Sequence, residues 1–121
     1  MYKDFEKWVN CIFEKEIPKG VVALSFNLYE DEKYHWSMEV VGTSTFDEDN
    51  EDWACDEITD FDSRKDLFSW QEESDWEKIL SETVKCLRKY LETGEYAGKL
   101  KSVKGIGAGF VDGDLELVYG K

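Results

Sequence analysis

The chain has one proline, one histidine and three cysteines in 121 residues, and only 15 Lys and Arg against 28 Asp and Glu. Each scarcity excludes something. His35 alone cannot supply a multi-histidine metal site. Cys11, Cys55 and Cys86 are odd in number, widely spaced and without a Cys-x-x-Cys pair, which excludes a disulfide framework and a zinc cluster and leaves reduced thiols. Cys11 and Cys86 fall in helical patterns as small hydrophobes. Cys55 sits among carboxylates that disfavour the thiolate a nucleophile needs. The longest uncharged stretch, between Gly20 and Glu30, is one strand long and far short of the roughly 20 apolar residues of a membrane span. The first residues carry Lys3, Asp4, Glu6 and Lys7 and lack the apolar core of a signal peptide, so a cytoplasmic location is expected. Scattered bases and a net charge of −13 oppose nucleic-acid binding; Lys99, Lys101 and Lys104 make only a small basic patch.

What the chain does have is acid in one place. Thirteen acidic residues lie between Asp47 and Asp75, opposed only by Arg64 and Lys65, so this quarter carries a formal −11 of the total −13. Like charges at this density repel one another and favour the approach of a cationic partner. Phe46, Trp53, Phe61, Phe68 and Trp70 are threaded through the acids, whereas a disordered acidic tail is poor in aromatics. Some of these rings anchor the segment to a core; any left exposed would give an interface its apolar centre.

The length fits one domain, 1–121, with a single core. Residues 2–17 place Tyr2, Phe5, Val9, Ile12, Phe13 and Ile17 at helical spacing, ending at Pro18 and Gly20. Val22, Leu24, Phe26 and Leu28 alternate as in a half-buried strand, and Trp36, Met38 and Val40 repeat the pattern after a polar turn at 30–33, which predicts an antiparallel hairpin. The acidic block predicts a loop, a strand near 53–61 and a second loop. Ser74 reads as the N-cap of a long helix whose inner stripe is Trp76, Ile79, Leu80, Thr83, Leu87, Tyr90 and Leu91, stopped by Gly94. A helical turn is expected at 96–100. Strands at 106–111 and 115–119 flank Asp112-Gly113, a hairpin signal. The order predicts an α+β fold: an antiparallel sheet of four to five strands with two main helices on one face.

Several patterns invite chemistry and fall to simpler readings. From Asp47, an EF-hand loop would need Gly at its sixth position and Glu at its twelfth; Asp52 and Ile58 stand there. Gly105, Gly107 and Gly109 lead into a strand rather than opening a helix, so close backbone approach or a bulge is expected instead of phosphate binding. His35 alternates with Ser37 and Glu39, which permits a general base oriented by Glu39, or a hydrolase using Asp56 as well. A solvent-facing strand histidine explains it as well without a nucleophile. No cofactor, no metal and no catalytic residue is therefore expected.

Asn27 to Tyr29, Trp36 to Gly42, Trp53 to Glu57, the Ser74-Asp75-Trp76 helix start and Gly109 to Asp114 together resemble a group of small bacterial proteins. Some of these look like immunity proteins of polymorphic-toxin and contact-dependent growth-inhibition systems. The resemblance spans 20–119 and carries no functional residue with it. It implies a cytoplasmic inhibitor that binds a cognate toxin domain, often a nuclease; a monomer or homodimer is expected from the complete core stripes. Charge leads independently to a basic protein partner, and names Asp47, Glu48, Asp49, Glu51, Asp52, Asp56, Glu57, Asp60 and Asp62 as its contacts, with Trp53 and Trp70 as anchors. The same surface would serve a non-inhibitory adaptor or a DNA-mimic regulator.

Overall fold

A computed structural model describes residues 2–120, excluding the side chains of Thr59 and Asp60. Its elements are α1 (Tyr2–Phe13), β1 (Ala23–Glu32), β2 (His35–Thr43), β3 (Glu57–Asp62), β4 (Phe68–Gln71), α2 (Trp76–Thr93), α3 (Ala97–Leu100), β5 (Gly105–Phe110) and β6 (Glu116–Gly120). A 3-10 turn at Glu51–Cys55 precedes β3. The architecture is α+β, with six strands in one mixed sheet.

The sheet runs β3-β2-β1-β5-β6, and β4 follows β3 along the same edge of β2. β1 and β2 form the expected hairpin, but β5 lies parallel to β1, from Ala23 against Gly105 to Leu28 against Phe110. This corrects the all-antiparallel expectation. Apolar alternation fixes which face of a strand is buried and is silent on strand direction; the 18-residue α2 carries the chain back across the sheet. β4 is the additional strand, four residues too short to show a period.

The core fills one face of the sheet. Leu24, Phe26 and Leu28 of β1, Met38 and Val40 of β2 and Ile106 and Ala108 of β5 meet Phe5, Trp8, Val9 and Phe13 of α1 and Val84, Leu87, Tyr90 and Leu91 of α2. Fully buried side chains such as Phe26 and Leu87 each contribute about 2 kcal/mol over an exposed position. Tyr90 ties the helical layer together: its hydroxyl donates to Asn10 Oδ1 at 2.6 Å and accepts from the Tyr96 amide at 3.1 Å. α1 stops at Phe13 rather than 17, and Lys99 Nζ donates to the Phe13 and Lys15 carbonyls left open there, at 2.8 and 3.3 Å.

The strand expected near 53–61 begins only at Glu57, after the 3-10 turn, and four further local expectations change. Asp75, not Ser74, caps α2, its carboxylate accepting from the Lys78 amide. Trp76 is 55% exposed and leaves the inner stripe, where Val84 is buried instead. Cys11 is exposed rather than packed. The β5–β6 hairpin forms, but through five residues, 111–115, with the Gly113 amide donating to the Phe110 carbonyl and no glycine at positive φ.

Candidate protein-binding site

The second face of the sheet is not open to solvent across its centre. Every residue of β2 after His35 is buried, including Ser37, Glu39 and Thr43 on this face. The acidic segment covers part of it, held by rings over glycines. Phe46 lies directly on Gly105, where any Cβ would collide with its ring, and Trp53, 4% exposed, packs edge-on against Phe46 at 5.2 Å. Leu115 closes over Gly107, and the Asp114 carbonyl lies 2.6 Å from where a Gly109 Cβ would stand. The three alternating glycines therefore serve close approach, as expected of glycine in a strand.

Beside this cover lies a polar network that charge counting did not foresee. Glu39, 3% exposed, accepts from Asn27 Nδ2 and from Tyr29 OH, each at 2.8 Å. Ser25 Oγ extends the chain to Asn27 Oδ1. Arg64 Nε reaches Glu39 at 3.2 Å while its Nη2 reaches Glu57 at 2.6 Å. A buried carboxylate thus receives both a counter-charge and hydrogen bonds, the condition for tolerating it inside a fold. Burial, then the hydrogen bond to Glu39, pushes the Tyr29 hydroxyl up to about 12. Glu57, first among its causes, holds the Arg64 guanidinium firmly charged. The only sequence signal for this network was a solitary arginine inside an acidic block.

Arg64 is consequently engaged with Glu39 and Glu57 rather than spread over the acids outside. Asp47, Glu48, Asp49, Glu51, Asp52, Asp56 and Glu57 are all exposed. Their loop is shaped by its own side chains: Asp47 Oδ1 accepts from the Asp49 amide, Asn50 Oδ1 from the Asp52 amide, and Asp56 Oδ2 from Thr45 Oγ1. Glu51 Oε2 accepts from the Leu115 amide at 3.1 Å, joining the cover to the β5–β6 connection. Between them is a cleft of about 330 Å³ lined by acids of 47–51 together with Trp53, Leu115 and Leu117. Leu117, 38% exposed, and Leu115 are apolar contributors that the sequence reading omitted.

The remaining predicted residues lie elsewhere. Trp53 is a buried anchor of the cover, not an exposed interface residue, because its ring completes the packing on Phe46. Asp62 is exposed at the end of β3, accepts from the Arg64 amide, and borders a cleft with Cys11 and Lys65. Trp70 is half-buried on β4, its ring tilted against Phe68 at 5.1 Å and paired across from Trp36, with Nε1 buried and unpartnered. Glu57 pairs with Thr43 and Trp70 with Trp36, so roughly 23 Å of β2 separates them at a strand's rise per residue. The side chain of Asp60 lies outside the described residues. His35 is exposed, and the Glu39 carboxylate is engaged by Asn27, Tyr29 and Arg64 rather than by it; Asp56 belongs to the Thr45 contact.

Among the described residues no group of His, Cys, Asp and Glu has the arrangement of a metal site, and no helix is long and apolar enough to cross a membrane. No protein family, curated protein or solved structure matches the chain.

Proposed function

We propose that this chain is a cytoplasmic immunity-type protein that binds a cognate basic toxin domain and inhibits it by occlusion. The observation that carries this reading is the crowding of six exposed carboxylates, Asp47, Glu48, Asp49, Glu51, Asp52 and Asp56, whose nearest arginine is spent on Glu39 and Glu57. Exposed like charges cost the free protein stability and speed encounter with a cation-rich surface. The anchoring of the cover by Phe46, Trp53 and Glu51 supports a preformed surface, so little ordering opposes association. Leu115 and Leu117 give that surface an apolar margin.

The test is to identify the genes flanking this one in its source genome and to express any basic domain they encode in a bacterial host with and without this chain. Protection of the cells, together with a stoichiometric complex that blocks the domain's activity in vitro, is the expected result. A complex that leaves the activity intact would favour the adaptor reading. Absence of both complex and protection would refute the proposal.

A further inference from the structure

A second cleft, of about 470 Å³, opens where the C-terminal ends of the parallel strands β1 and β5 meet the start of α2. Its apolar side is Trp76, Phe110 and Val111, and its acidic rim is Glu30, Asp31 and Asp112. Trp76 and Val111 are 55% and 52% exposed. The aromatic side is a chain of ring contacts: Trp36 and Phe110 meet at 5.8 Å, Phe110 and Trp76 at 6.2 Å with an interplanar angle of 87°, and Trp36 Nε1 donates to the Glu72 carbonyl at 3.0 Å. None of the lining residues is Lys, Arg or His.

We propose that this cleft receives an arginine side chain from a segment of a partner protein, an inference that rests on the reading of the chain as a binder of basic proteins. A guanidinium is weakly hydrated, stacks on an indole face and offers its N–H groups as a planar fork to carboxylates, which matches an exposed tryptophan beside three acids. A purely apolar occupant would strip water from three carboxylates without replacing it, and an anion would be repelled. The volume falls in the range of clefts that enclose a small group rather than a flat contact. The β5–β6 connection, 111–115, contributes Val111, Asp112 and Gly113 to this cleft and Leu115 to the acidic cover's cleft, so one chain segment borders both.

The test uses the full chain labelled with ¹⁵N and the blocked tripeptide acetyl-Gly-Arg-Gly-amide, with the citrulline tripeptide as its uncharged isostere. The indole signal of Trp76 should shift saturably with the arginine peptide, and binding of the citrulline peptide should be about tenfold weaker. Read at the backbone amides of Phe110 to Gly113, Trp76→Ala should abolish the response, and D31N/D112N, which leaves the aromatic side intact, should weaken it about tenfold. Equal responses to the two peptides, a response confined to 47–57, or no response would overturn the proposal. Neutralising Asp47, Glu48, Asp49, Glu51 and Asp52 should leave the Trp76 response in place. A cognate domain that binds through the cover with both rates unchanged by Trp76→Ala would overturn the cleft while leaving the immunity reading standing.

Discussion

Glu39 is the residue on which the acidic half of the molecule turns. A carboxylate 3% exposed persists because Asn27, Tyr29 and Arg64 each satisfy part of it, and Arg64 passes the connection outward to Glu57. Replacing Arg64 by Met removes the counter-charge and should destabilise the fold by about 2 kcal/mol, less than for a fully buried pair because the Arg64 side chain is 48% exposed. Urea unfolding of Arg64→Met, Glu39→Gln and the double variant checks this: the double variant should lose less than the sum of the singles. Tyr29 reports on the same network. Its hydroxyl, raised to about 12, holds its proton in the folded state above the pH where an unfolded tyrosine ionises. The associated stability is fully present below about pH 10 and is lost as pH rises through about 12. Tyr2, Tyr90 and Tyr96 are raised as well, so the Tyr29 ionisation is assigned by the difference between ultraviolet titrations with and without Tyr29→Phe; it should come late, and Glu39→Gln should bring it earlier, whereas a Tyr29 that titrates near 10 in both forms would dissolve the network as described.

At the scale of elements, the cover depends on glycine in β5. Phe46 occupies the space above Gly105, so Gly105→Ala must displace a ring that also supports Trp53. A loss of about 2 kcal/mol is expected, with the largest amide-exchange increases at 44–56; unchanged exchange there would show that the cover is not anchored through this ring. Close approach at these glycines was legible in the sequence, because glycine alternating in a strand has few other uses. The identity of what approaches was not, since Phe46 and Gly105 meet across 59 positions of chain. The same limit explains the other differences. Alternation marked β1 and β2, and apolar spacing at 3.6 residues marked α1 and α2. The four residues of β4 alternate too briefly, with two apolar positions, to mark a strand, and the direction of β5 relative to β1 has no local signature. Trp76 met the helical spacing of the inner stripe, yet at the first position of α2 it overhangs the end of the sheet and stays exposed.

For the whole molecule, the charge segregation read from composition acquires a shape: a helical layer and core on one face of the sheet, and an acidic cover over part of the other. The candidate surface was legible as a block of sequence and not as a patch. Asp47 to Glu57 gather on the cover, Asp62 and Trp70 point to other parts of the β2 edge, and Leu115 and Leu117 join from the far end of the chain. Because the six acids of the cover outside the Arg64 pairing are exposed, their contribution to binding is long-range and falls with salt, while apolar contacts act on dissociation. The central claim is therefore tested most directly by the association rate of the cognate basic domain with the parent chain and with a variant carrying Asn or Gln at Asp47, Glu48, Asp49, Glu51 and Asp52, each at low and high salt. The parent should associate about tenfold or more faster at low salt, and the variant should be slow at both with little salt dependence. Equal rates and equal salt dependence in the two proteins would contradict the account and reduce the acidic cover to a solvated surface.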